Sequence, residues 1–242
     1  MKKAILILAS ILFTISSVQA QWWSSSEKVK GNGNVVTKSR STGDYDGVQL
    51  VGSMNVQLVA GNEGQLKIEA ESNLQEYITT EVKAGTLKIS TKKGVDLRPT
   101  KEILITVPFE SISQVSLTGS GDIWTRDQIS SSSFGVSVTG SGDVVLDINA
   151  GELKGAITGS GDIKLKGQAR NFDCTVTGSG DFAAYDLRAE SVNARVAGSG
   201  DIQVYASASL TATVSGSGDI MYKGDPEKQN FKSSGSGDIS AY

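Results

Sequence analysis

The sequence predicts an all-β fold, a right-handed parallel β-helix (β-solenoid) with coils of about 20 residues and irregular N-terminal strands and hairpins. Three observations point there. The tetrapeptide GSGD recurs, beginning at Gly119, Gly140, Gly159, Gly178, Gly198, Gly216 and Gly235, at spacings between 18 and 21 residues. Apolar residues around it fall at alternate positions, the period of strands with one buried face. Helical spacing is absent from this half of the chain. A fixed period of this length marks a solenoid, in which each repeat buries its apolar side only against its neighbours.

Each coil can be justified from its flanks. Directly after the motif stand Ile123, Val144, Ile163, Phe182, Ile202, Ile220 and Ile239. Two residues before it come Leu117, Val138, Ile157, Val176, Val196 and Val214; four before, Val115, Val136, Gly155, Cys174, Ala194, Ala212 and Phe231; six before, Phe134, Leu153, Phe172, Val192 and Leu210. Stacked coil on coil, these columns fill an interior between two or three short parallel strands per turn. Right-handedness follows from the strong preference of parallel crossovers. A β-propeller is the runner-up, but its blades need about 40 residues.

The N-terminal half is less regular. Gly47 to Ala60, Gln65 to Glu71, Glu76 to Lys83, Thr86 to Thr91 and Glu102 to Pro108 alternate as strands, with turns at Gly61-Asn62-Glu63-Gly64 and Lys83-Ala84-Gly85. Within VQLVGSMNVQL, Gly52-Ser53-Met54-Asn55 occupies the place of GSGD, with Leu50 two before and Val56 one after. This segment reads as a degenerate first coil.

Residues 1–20 form a secretory signal peptide: Lys2 and Lys3, an apolar run from Ala4 to Ile15, and Val18-Gln19-Ala20 as the cleavage site. Residues 21–42 read as a polar flexible segment, in which Trp22 and Trp23 are candidates for docking on a membrane interface or capping the first coil. A single β-helix domain is expected over 43–242, with regular coils from about 112 onward. The expected location is the periplasm, outer surface or exterior of a bacterium, and no later apolar run is long enough to cross a bilayer.

Composition narrows the chemistry. The formal net charge is −3 without any basic cluster, which argues against nucleic acid. The chain has no His, so Ser-His-Asp and Cys-His catalysis are excluded, and Cys174 stands alone, so no disulfide forms within the chain. Carboxylate-only catalysis remains open as an alternative class, a polysaccharide-acting enzyme on a β-helix. Its charged candidates Asp127, Asp147, Lys164, Lys166, Arg170, Arg188 and Arg195 form no recognisable set. A third reading is a structural spacer with no ligand.

GSGD itself admits several readings. A phosphate loop must feed a helix N-terminus, whereas each motif here runs into a strand, so that reading is rejected. Stacked Asp122, Asp143, Asp162, Asp181, Asp201 and Asp219 would lie about 5 Å apart, a self-repelling ladder able to recruit weakly held Ca²⁺, with no other cofactor expected. If alternation continues through TGSGD, Thr139, Ser141, Asp143, Thr158, Ser160, Asp162, Thr177, Ser179 and Asp181 form an outward ligand stripe, with both glycines inward. The simplest reading is a scaffold corner, Gly supplying the bend and Asp and Ser an Asx-turn at each coil.

The segments DYDGVQLVGSMNVQL, TEVKAGTLKI and reiterated TGSGDI resemble the bacterial family named "putative auto-transporter adhesin, head GIN domain", over roughly Tyr45 to Tyr222. The resemblance implies a β-helical fold and an extracytoplasmic place, and transfers no catalytic residue. The expectation is an exported, non-enzymatic scaffold or binding protein, adhesin-like at the cell envelope, with a glycan or a cell-surface protein as partner. The polar Gln229 and Ser233 soften the last coil's open edge, and end-to-end pairing of two chains is the alternative.

Overall fold

The computed structural model describes residues 26–242; the signal peptide expected over residues 1–20, and Trp22 and Trp23, lie outside the described residues. The chain is a β-solenoid of about seven turns. In order come β1 (Glu27–Lys30), β2 (Val35–Ser41), β3 (Gly47–Gly52), β4 (Asn55–Ala60) and β5 (Gln65–Glu71). After a single 3-10 turn at Gln75–Tyr77 follow β6 (Ile78–Lys83), β7 (Thr86–Thr91), β8 (Val95–Arg98), β9 (Leu104–Phe109) and β10 (Gln114–Gly119). The body is made of β11 (Ile123–Gly140), β12 (Val144–Gly159), β13 (Ile163–Gly178), β14 (Phe182–Gly198) and β15 (Ile202–Gly216). It closes with β16 (Ile220–Lys223), β17 (Lys228–Gly235) and β18 (Ile239–Ala241).

The four apolar columns read from the sequence are the register of the parallel sheet. Val138 pairs with Ile157, Val176, Val196 and Val214 in successive coils, and Ile123 leads to Val144, Ile163, Phe182, Ile202 and Ile220. All of these are buried. The expected two or three short strands per coil are instead one strand of 15 to 18 residues, running from just after one motif to the first glycine of the next. Pairing continues around the bends because local register shifts absorb the changing coil length, as at Trp124/Gln128, Lys164/Lys166 and Ala184/Arg188.

Volume is compensated between coils. Gly155 stands in an otherwise apolar column because the Phe182 ring occupies its space: a Cβ there would lie 2.4 Å from the ring. Phe182 in turn meets Phe172 edge-to-face, with centroids 5.5 Å apart. Cys174, in the same column, is buried, and burial pushes its thiol pKa up.

At the N-terminal end chain order and spatial order part. The 48–58 segment aligns as expected, Leu50 with Leu117, Gly52 with Gly119 and Val56 with Ile123. It is the second coil in the stack, not the first: β7 pairs with the other edge of β3, and β9 with the other edge of β4. Antiparallel β6 then covers β7, while β5 covers β9 and is itself covered by β2. These antiparallel strands occupy edges that a bare parallel coil would leave unpaired.

The expectation of a flexible segment up to residue 42 fails for most of its described part. β1 pairs with β8, and β2 pairs with β5 over its whole length. Both are polar because they are outermost strands, with Val35 still 39% exposed, so neither needs an apolar face. Glu71 ties this layer together. Fully buried, its carboxylate accepts the Thr100 hydroxyl at 2.7 Å and the amides of Thr100, Gly33 and Lys101. The Thr100 hydroxyl bond, with those amides and against the opposing effect of burial, holds its pKa near 2.

Candidate functional site

The GSGD corners stack on one another. The first glycine carries φ between +124° and +141° at Gly140, Gly159, Gly178, Gly198, Gly216 and Gly235, a region L side chains rarely adopt. Its carbonyl accepts two amides from the next coil; Gly140 O, for example, takes Ser160 N at 2.8 Å and Gly161 N at 3.0 Å. The second glycine is buried, and a Cβ on Gly161 would sit 2.1 Å from the Gly142 carbonyl oxygen. The expectation that both glycines point inward is therefore corrected: what excludes a side chain is the backbone of the preceding coil.

The aspartates form a ladder of hydrogen bonds. Asp122 Oδ1 accepts the amide of Asp143 at 3.1 Å, Asp143 that of Asp162 at 3.0 Å, and Asp162, Asp181, Asp201 and Asp219 those of Asp181, Asp201, Asp219 and Asp238 at 2.8 Å each. Asn55 starts the series by accepting from Asp122 at 3.0 Å. The local Asx-turn expected here is replaced by a bond between coils, because the corner turns the Asp amide toward the neighbouring coil's carboxylate. Among the described residues, no group of three or more His, Cys, Asp or Glu is placed to hold a metal ion.

Thr139, Ser141, Asp143, Thr158, Ser160, Asp162, Thr177, Ser179 and Asp181 are all exposed and run in register along one edge of the solenoid. A shallow hollow of about 320 Å³ adjoins them, lined also by Val145, Lys164 and Gln203. The structure thus brings the stripe residues together, each Asp committing one oxygen to the scaffold.

A larger groove, about 790 Å³, lies where the long strands bend. One bank is a column in register, Ser130, Asn149, Gln168, Arg188 and Tyr205. Its bottom follows Ser131, Ala150, Ala169 and Ala189, the three alanines being buried. Arg170, Glu190 and Ser207 stand on the opposite bank, each one residue past the buried column. Four interstrand steps span about 19 Å from Ser130 to Tyr205. The Arg188 guanidinium stacks on Tyr205, 4.2 Å from the ring centroid. Hydroxyls, amides, guanidiniums, one carboxylate and one aromatic ring thus face a single trough, the donor and acceptor set of a polar ligand site.

Sequence reasoning named Arg170 and Arg188 but did not join them to this groove. The available signal was a polar residue before alanine once per coil: Asn149-Ala150, Gln168-Ala169, Arg188-Ala189 and Tyr205-Ala206. Register shifts move it from six residues after Asp143 and Asp162 to seven after Asp181 and four after Asp201, which hides the column from a fixed alignment. Of the other charged candidates, Lys166 pairs with Asp147 at 3.2 Å, and Asp127 accepts the Ala60 amide.

A family model described as "Putative auto-transporter adhesin, head GIN domain" matches residues 44–226. Among solved structures, the chain is similar to a putative adhesin from Bacteroides fragilis, 26% identical, with a TM-score of 0.83 over 88% of this chain and 100% of that one. It is also similar to a putative lipid binding protein from Parabacteroides distasonis, 31% identical, with a TM-score of 0.73 over 89% of this chain and 100% of that one. A putative adhesin from Parabacteroides merdae, 21% identical with a TM-score of 0.72, shares the fold over 89% of this chain and 99% of its own. No curated protein matches.

Proposed function

As the chain belongs to the family described as putative auto-transporter adhesin, head GIN domain, we propose that it is an exported, non-enzymatic binding module of the cell envelope that engages glycan chains along the bend groove. The observation carrying this reading is the groove itself, a trough crossing successive coils whose banks carry hydroxyl, amide and guanidinium groups. An extended ligand suits such a wall, because each coil adds a further polar partner at the interstrand spacing. The relative named for lipid binding raises lipid as an occupant, but the polar banks favour a saccharide. The absence of His and the dispersal of the remaining charged candidates favour binding over cleavage.

Binding of the purified chain to a polysaccharide array tests the reading. Retention of at least one glycan is expected, abolished in an Asn149→Ala/Gln168→Ala variant and kept in an Asp143→Asn/Asp162→Asn/Asp181→Asn variant. The reverse pattern would move the site to the TGSGD stripe, and depolymerisation of a bound glycan would replace the binding module with an enzyme. Absence of all retention would overturn the proposal.

A further inference from the structure

We infer that the groove selects acidic saccharides, seating a carboxylate or sulfate between Arg170 and Arg188. The inference rests on the glycan-binding reading above and adds the chemical class of the ligand. Arg188 precedes the buried column by one residue, and Arg170 follows it by one, in adjacent coils whose Ala169 and Ala189 pair directly. The two arginines therefore leave opposite banks from backbone positions one interstrand step of about 4.8 Å apart along the trough, with the Arg188 guanidinium lying over Tyr205 of the following coil.

Neither is in an ion pair. Among the described residues the ion pairs are Lys83–Glu81, Arg98–Asp96 and Lys166–Asp147, and none includes Arg170 or Arg188. Glu190 is the one carboxylate lining the groove; it stands on the Arg170 bank one coil on, so the lining carries two positive charges against one negative. This local balance opposes that of the whole chain, which is net negative. Arg188 is also oriented, its plane held against Tyr205, which lowers the entropy lost on forming a two-pronged bond to an oxyanion. Toward Ser130 the bank becomes neutral, through Gln168 and Asn149, a stretch suited to sugar hydroxyls.

Retention on four immobilised polymers separates the components: dextran as neutral saccharide, polygalacturonate for carboxylate, dextran sulfate for sulfate, and poly-glutamate as a non-saccharide anion. Polygalacturonate or dextran sulfate is expected to bind at least about tenfold tighter than dextran, the worth of one charge-assisted bond. Whichever of the two is preferred identifies the anion. Arg170→Gln and Arg188→Gln should each erase most of that preference without shifting the melting temperature, and Glu190→Gln should increase it. Equal binding of dextran and both acidic glycans would overturn this inference and leave the glycan-binding reading standing. Poly-glutamate binding as tightly as the acidic glycans would remove the saccharide from it, and retention on none of the four, with an empty array, would remove both readings.

Discussion

Replacing Asp162 by asparagine or by alanine separates the two effects that the aspartate ladder combines. Asp162 Oδ1 accepts the Asp181 amide at 2.8 Å, and its own amide donates to Asp143 at 3.0 Å. Removing the acceptor with alanine should cost about 1.5 kcal/mol, the low end for a bond to a charged group, since the site is exposed. Asparagine keeps an acceptor of the same shape and should lose only about half of that. Asn55 already fills this role toward Asp122. Either change also removes repulsion from two neighbouring carboxylates about 4.8 Å away, worth about 1.7 kcal/mol together in unscreened water. Screening reduces that relief to about 1.5 kcal/mol at 10 mM salt, 0.9 at 0.15 M and 0.3 at 1 M. Asparagine is therefore expected to stabilise by about 0.7 kcal/mol at 10 mM, to be nearly neutral at 0.15 M, and to destabilise slightly at 1 M. Alanine should lie about 0.7 kcal/mol below asparagine at every salt concentration. Urea unfolding of the three proteins at the three ionic strengths reads both quantities. If the two variants coincide, the inter-coil bond contributes nothing; if the difference between wild type and asparagine ignores salt, the ladder's charges do not interact.

Two further perturbations test the scaffold. Gly161→Ala forces a methyl group against the Gly142 carbonyl oxygen and should cost at least about 2 kcal/mol, whereas the adjacent, exposed Ser160→Ala should stay within about 0.5 kcal/mol; urea midpoints of the pair decide whether coil spacing or motif identity matters. Glu71 has a folded-state pKa near 2, below its ordinary 4.5, so its contribution is fully present above pH 4.5 and is lost as pH falls toward 2. Unfolding measured between pH 5 and pH 2 should show wild type falling more steeply than Glu71→Gln, and parallel curves would refute the clasp.

Much of the architecture was legible one coil at a time. Phe134, Leu153, Phe172, Val192 and Leu210 share a sequence position and share a column, since identical coils stacked in parallel turn a linear period into vertical register. Gly155 looked like a gap in its column and is explained only by Phe182, which lies 27 positions later in the sequence and reaches into its space. Exposure of Thr139, Ser141 and Asp143 followed from alternation alone. Placement of the Asp oxygen did not, because a carboxylate at a bend can reach its own coil or the next with the same local sequence.

By itself, then, the sequence determined the solenoid, its coil length and which side chains face inside, because period-2 alternation and a 20-residue repeat are properties of the chain read along its length. Only the tertiary structure decided that β7 and β9 lie beneath β3 and β4, that the polar 27–41 region forms covering strands, and that five drifting positions align as the bank of a groove. Those outcomes depend on which coil stacks against which, and register shifts between coils leave no mark at a fixed spacing. The GSGD motif belongs to both levels: its glycines and aspartates repeat because every coil must approach the backbone beneath it and accept the amide above it.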